Sequence, residues 1–332
     1  MSDTVTSLPE QLGFQTQYFD LPHLRMHAAV AGPENGPLLI LLHGFPEFWY
    51  SWRYQIGPLA QAGFRVVVPD QRGYNLTAKT PPFDVQTLAD DILALMDACG
   101  RASACVAGHD WGAVVAWTLA ALHPERIARL AILNVPHPAP MMRALLGGNP
   151  RQIARSWYIF FFQIPDLPEW TLRRHGFADM RRMMRGSSRG SSRGSSRGSS
   201  RGSSHGSSHG SRDNLGGGQP ETFSDLDLAR YQTAWAQPGA LHAMIGWYRA
   251  LLQRNLRENR QRSQTRVRVP TLILWGEQDV ALGVELAEES CDWVDDVELI
   301  RFPNATHWVH EEEAEAVTQA LLAHFVAAAE AA

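Results

Sequence analysis

The chain has 332 residues, 45% hydrophobic and 19% charged, enough for one large α/β domain with an inserted subdomain or for two domains. Its net charge of −4 sets up no overall basic field for nucleic acid and no strong acidic one. Three cysteines, Cys99, Cys105 and Cys291, are odd in number and lack metal-ligand spacing, which suits buried or incidental thiols in a reducing cytoplasm and no bound metal.

Taken in chain order, Met1 to Gly32 carries no basic segment followed by an apolar one, so no signal peptide is expected. Pro37 to His43 is a short continuous apolar run, the pattern of a strand covered on both faces. Arg65 to Asp70, Ala104 to Ala107 and Leu130 to Asn134 repeat it, with helical patterns between them at Thr87 to Cys99 and Ala113 to His123. Such alternation predicts an α/β fold with a mostly parallel sheet and helices on both faces. From Pro138 to about Arg262 the alternation gives way to a helical, aromatic stretch holding Trp157 to Phe162, Trp170, Trp235 and Trp247-Tyr248. Strand patterns resume at Thr271 to Trp275 and Val297 to Ile300, and a helix is expected over Glu312 to Ala328. The predicted organisation is therefore a core in two parts, 1–138 and 263–332, with a helical cap inserted over 139–262.

Within the cap, the unit Arg-Gly-Ser-Ser repeats five times from Arg185 and drifts to His-Gly-Ser-Ser at His205. No core can be built from it, so 185–218 is expected to be a disordered loop. Lacking interleaved aromatics, it is a poor nucleic-acid tract, and His205 and His209 make a poor metal site. No apolar stretch approaches the length of a bilayer span, Trp157 to Pro165 included. The expectation is a cytoplasmic protein with neither a nucleic-acid nor a membrane partner.

Chemistry concentrates in Gly108-His109-Asp110-Trp111-Gly112, which follows a strand pattern and precedes a helical one. In that context G-x-nucleophile-x-G forms a nucleophile elbow. An aspartate at its centre suits attack on saturated carbon, leaving an alkyl-enzyme ester. Asp279, just after the strand ending at Trp275, and His307, after the next, follow in the order nucleophile, acid, base. Asp279 would orient His307, which would activate water. His43-Gly44-Phe45-Pro46 ends an earlier strand, so the backbone N–H groups of Phe45 and Trp111 are the expected oxyanion-hole donors.

His43 to Glu47, Ser51-Trp52-Arg53, Asp70 to Tyr74 and Gly108 to Gly112 resemble the soluble epoxide hydrolase family of the α/β-hydrolase fold, and the similarity covers nearly the whole chain outside the repeat and both termini. The resemblance implies two cap tyrosines that hydrogen-bond the epoxide oxygen, matched by Tyr158 in an aromatic segment running to Phe162-Gln163-Ile164-Pro165 and by Tyr248 in Trp247-Tyr248-Arg249. It also implies a cis peptide at Phe45-Pro46. Asn75 stands where many of that family carry glycine. Tyrosine, with an ordinary pKa of about 10, can give the opened ring a proton at neutral pH.

The expected reaction is conversion of an apolar or aromatic epoxide, with water, to a vicinal diol without a cofactor. Trp111 and Trp247 are expected to contact substrate. With an ordinary pKa near 6.5, His307 is expected to lose its base function at low pH. The rival is a haloalkane or haloacid dehalogenase using the same Asp110, His307 and Asp279, with Trp111 and one of Trp157, Trp170, Trp235 or Trp247 as halide donors. No asparagine directly follows His43-Gly44, and Val114 to Thr118 is uncharged, so neither the usual halide donor nor a haloacid clamp is present.

Overall fold

The computed structural model describes residues 12–187, 222–253 and 264–329. Most of the Arg-Gly-Ser repeat, with its expected loop conformation, lies outside the described residues, as do His205 and His209.

Eight strands form one sheet: β1 (Gln15–Leu21), β2 (Leu24–Ala31), β3 (Leu38–Leu42), β4 (Arg65–Pro69), β5 (Ala104–His109), β6 (Ile127–Leu133), β7 (Thr271–Gly276) and β8 (Val297–Phe302). Their order is β1-β2-β4-β3-β5-β6-β7-β8. From β4 to β8 every pairing is parallel, whereas β2 runs antiparallel to both its neighbours. The apolar runs read from the sequence are these inner strands, and β3, β5 and β7 are buried along their whole length. Burial on both faces is what removes the alternation of polar and apolar residues from them.

Helices cover the sheet in two groups. Val85–Ala98 packs on Trp111–Leu122, and Arg53–Gln61 packs on Ala314–Ala329. The first helix starts two residues earlier than its apolar pattern because Asp84 caps it, accepting from the Thr87 N–H at 3.1 Å. The C-terminal helical pattern is divided in two, Val309–Glu312 and Ala314–Ala329. Between β6 and β7 the described residues hold no strand; their helices are Pro138–Leu146, Pro150–Arg155, Trp157–Phe161, Leu167–Ser187, Asp225–Trp235 and Ala240–Gln253. The long one is broken at Arg174–Phe177, where three successive residues take positive φ. The segment is fastened to the sheet by indole N–H groups: Trp235 donates to the Pro46 carbonyl at 2.5 Å and Trp247 to the Arg72 carbonyl at 3.0 Å.

Residues after β4 anchor this contact. Asn75 sits at φ 37°, a left-handed conformation that glycine adopts freely and asparagine tolerates best among the others. Its side chain also donates to Asp70 Oδ2 at 2.8 Å, a bond glycine could not make. Arg72 is held by Asp91 through two hydrogen bonds of 2.6 Å, with both side chains almost fully buried. Removing one partner strands a buried charge, which typically costs about 3–5 kcal/mol. Asp91→Ala should therefore lower unfolding stability by roughly that amount in a urea titration. A change within the error of the titration would mean that the pair holds nothing in place.

Candidate active site

Because β3, β5, β6, β7 and β8 are parallel, the loops that follow them share one edge of the sheet, where α/β proteins collect their sites. Asp110 occupies the single position between β5 and the helix Trp111–Leu122. It takes φ 48°, ψ −123°, a conformation that costs a residue with a side chain about 1–3 kcal/mol. The glycines around it are needed for space. A Cβ on Gly108 would strike the Gly112 carbonyl, one on Gly112 would strike that of Leu42, and one on Gly44 would strike the Asp110 carboxylate itself.

The Asp110 carboxylate has two distinct oxygens. Oδ1 accepts the backbone N–H of Phe45 at 2.7 Å, and Oδ2 lies 3.5 Å from His307 Nε2. The Phe45-Pro46 peptide is cis, as the resemblance implied. Trp111's backbone N–H, the other expected donor, makes no hydrogen bond to Asp110 among the described residues. His307 Nδ1 lies 2.7 Å from Asp279 Oδ2. That oxygen also accepts from Asn134 Nδ2 at 2.8 Å, while Oδ1 accepts from the N–H groups of Ala281 and Leu282 at 2.7 and 3.0 Å. Burial opposes ionisation of Asp279, but the His307 charge and these bonds hold its carboxyl below the usual range.

His307 departs from the sequence expectation of an ordinary imidazole. Burial disfavours its charged form, yet the charge of Asp279 and the contacts with Asp110 and Asp279 outweigh burial and raise its pKa well above 6.5. It sits between two carboxylates, both of which favour its charged form.

Tyr158 and Tyr248 are brought to this same place. Their rings meet edge to face at 5.9 Å, and the Tyr248 ring packs on Trp111 at 5.0 Å and on Phe45 at 5.4 Å. Burial first, then the charge of Asp110, raises both phenols above the ordinary value; for Tyr248 a hydrogen bond with Trp111 acts the other way. Trp247 stands behind Trp111, its ring 5.6 Å away, and is almost fully buried. With its N–H given to Arg72, it has no polar group to offer a substrate. Trp157 and Trp170, considered as halide donors, are instead 62% exposed.

Two further groups carried no role in the sequence reading. Asn134, at φ 51° directly after β6, holds Asp279 and also accepts the Gly276 N–H at 2.9 Å. An asparagine ending an apolar strand was the available signal, since asparagine is enriched in that conformation. Glu47 Oε2 accepts the Gly44 N–H at 2.9 Å and faces His109 Nδ1 at 2.9 Å, while His109 Nε2 faces the His307 carbonyl at 2.8 Å. Glu47 Oε1 lies 3.3 Å from His310 Nε2. Burial works against the Glu47 charge, but His109 and His310 bring its carboxyl well below the usual range. Burial takes His310 down to about 4. Donor atoms of these three residues lie within 4.8 Å of one another, a spacing that could hold a metal. Glu47 and His109 are already spent on each other and on backbone groups, which favours a hydrogen-bonded network over a metal site.

Histidine NMR checks the electrostatics. The His307 ring should remain charged at neutral pH, and Asp110→Asn should lower its titration; a parent ring titrating at the ordinary value of about 6.5 would contradict the two-carboxylate arrangement.

Comparisons with known proteins bear on the fold and the family. Residues 37–314 match the family described as alpha/beta hydrolase fold. The chain is 38% identical to the AB hydrolase superfamily protein YfhM of Bacillus subtilis, over 93% of this chain and 97% of that one. It is 32% identical to epoxide hydrolase A of Mycobacterium tuberculosis, over 91% and 94%. Among solved structures, epoxide hydrolase A of Mycobacterium thermoresistibile superposes with a TM-score of 0.75 at 28% identity, covering 94% of this chain and 98% of that one. With the elbow aspartate, its histidine and the paired tyrosines gathered at one sheet edge, the chain belongs to the epoxide hydrolases of the α/β-hydrolase family.

Proposed function

We propose that the chain converts apolar or aromatic epoxides to vicinal diols through an ester on Asp110, needing only water as co-substrate. The observation that carries this reading is one strained carboxylate held against His307 beside two phenols whose protons burial and then its charge retain. The helices of 139–262 act as a cap over a core made of 1–138 and 263–332, and Tyr158 and Tyr248 are the cap's contribution to the chemistry.

Asp110 Oδ2, the oxygen without a backbone donor, attacks an epoxide carbon. The C–O bond breaks, and the leaving oxygen takes a proton at the tyrosine hydroxyls; an alkoxide is more basic than a phenolate, so the transfer runs downhill. The His307 imidazolium replaces that proton and becomes neutral. Loss of the Asp110 charge in the ester favours this, because one of the two carboxylates raising the His307 pKa has gone. Neutral His307 then takes a proton from water, hydroxide adds to the ester carbonyl, and Oδ1 carries the negative charge against the Phe45 N–H. Collapse releases the diol, which takes the proton of the carboxylic acid and restores the Asp110 carboxylate.

A dehalogenase is less well supported. Of the indoles that could hold a halide, Trp235 and Trp247 donate to carbonyls and Trp157 and Trp170 face solvent. Trp111 alone is left, and it already meets Tyr248.

Incubating His307→Gln with styrene oxide should trap an adduct of the whole epoxide mass on Asp110, read by intact mass and peptide mapping. An adduct of alkyl mass from a matched haloalkane, with none from the epoxide, would replace the reading with dehalogenation. Tyr248→Phe should slow ester formation by about a hundredfold or more while leaving ester hydrolysis largely intact. The profile of kcat/KM should stay level through the range near 6.5 where an ordinary histidine titrates. Since the His307 and tyrosine pKa values are raised, their protons leave only at more alkaline pH, and the decline belongs there. An acid limb near about 6.5 in kcat/KM would remove His307 from the proposed proton balance.

A further inference from the structure

The segment that carries Tyr158 on one side presents a different surface on the other. In the short helix Trp157–Phe161 and the bend after it, Ile159 and Phe162 are buried, whereas Trp157, Phe160, Ile164, Leu167 and Trp170 are exposed, from 42% to 62%. They recur every three or four residues over fourteen positions. Two thirds of the large apolar side chains exposed among the described residues lie between Pro138 and Gln253. Single exposed apolar residues need no explanation, but such a concentration does.

Arg249 fixes the shape of this surface. It donates to the carbonyls of Phe162 and Ile164 at 3.1 and 2.9 Å and pairs with Glu169 at 2.6 Å. The bend between the two exposed tryptophans is thus stapled to the helix Ala240–Gln253.

Charge identifies what fits there. Residues 138–187 contain eight arginines against three acids in a chain whose net charge is −4. Arg151 and Arg173 are exposed, Arg155 is half-buried, and none of the three has a carboxylate partner among the described residues. Arg174 lies over the Trp170 ring at 5.4 Å. Exposed tryptophan and phenylalanine in a stretch that also carries guanidinium groups without carboxylate partners match the two layers of an anionic bilayer surface, apolar chains below and phosphates above. A second copy of this chain fits less well, since face-to-face pairing brings two basic surfaces together. Outside the insertion the exposed large apolar residues, such as Tyr18, Leu122 and Val280, are scattered along the chain.

We propose that the outward face of Trp157 to Trp170, with Arg151, Arg155 and Arg173, docks on anionic lipid bilayers. No helix among the described residues is long and apolar enough to cross a membrane, and lying on one requires none. The sequence-based expectation of no membrane partner rested on spans and did not address this surface. Under the proposed epoxide reading, docking would place the Tyr158 helix at the lipid surface where apolar epoxides dissolve, but the docking stands without that reading.

Sedimentation of the full chain with phosphatidylglycerol–phosphatidylcholine vesicles tests it. The parent should bind, and pure phosphatidylcholine should hold at least about tenfold less. Trp157→Ser with Trp170→Ser should reduce the partition coefficient about tenfold or more, with turnover of a water-soluble epoxide retained as the sign of an intact fold. Leu122→Ser, exposed elsewhere, should leave binding unchanged. Absence of binding to anionic vesicles overturns the proposal. Binding that survives the tryptophan substitutions but disappears in salt also overturns it, assigning the attraction to basic residues alone. A concentration-dependent dimer abolished by the same substitutions, with no vesicle binding, would assign the face to a second copy. Vesicle binding by a protein that hydrolyses no epoxide would sink the proposed activity and leave the docking surface standing.

Discussion

Glu47 and His109 meet at 2.9 Å with both side chains fully withdrawn from water, and each reaches a different loop. Glu47 holds the Gly44 N–H beside the Phe45 donor, and His109 holds the carbonyl of His307. His109 is itself the residue before Asp110. One buried hydrogen-bonded pair therefore fixes the donor, the carboxylate and the histidine relative to one another. A buried polar group is costly unless it is hydrogen-bonded, and these two bond each other as well as the two loops. The alignment of Asp110 between Phe45 and His307 depends on that pair staying intact, because positioning errors of an ångström are enough to lose much of a rate.

Local strain and tight packing complete the constraint. Asp110 stays at positive φ only because its surroundings leave no alternative. Gly108 and Gly112 are forced by backbone that passes too close for any Cβ, and Gly44 by the Asp110 side chain. The glycines of the elbow are thus a consequence of three chain segments meeting at one point, β3, β5 and the helix after Asp110. The apolar strands supply the rigid edge on which that meeting can be held.

The inner sheet was legible because both of its faces are covered, which turns β3 to β7 into apolar runs. β1 and β2 were not read as strands. β1 is exposed or half-buried from Gln15 to Tyr18 and alternates with buried residues only from Tyr18 to Leu21, as suits an edge strand, and polar residues such as Gln15, Thr16 and Asp20 hide it. Asp110, Asp279 and His307 could be located because each sits next to a strand end in the sequence. The contacts that tune them could not. Asn134 and Asp279 are 145 residues apart, and His109 and His307 are 198 apart, so no local pattern records them. The raised His307 pKa has the same origin, since it needs two carboxylates that only the folded sheet brings together.

One charge links the groups of the proposed mechanism. The Asp110 carboxylate adds to burial in raising both tyrosines and to Asp279 in raising His307, so before reaction it favours the protonated form of all three. Forming the ester removes that charge, and all three pKa values must fall in the same step. The phenols become better donors as the leaving oxygen needs a proton, and the imidazole becomes a base as water needs activation. Asp279, with four hydrogen bonds, keeps its own charge throughout and prevents the imidazole from falling too far. On this reading the order of the two half-reactions needs no moving part, because consumption of the nucleophile's charge prepares the residue that regenerates it.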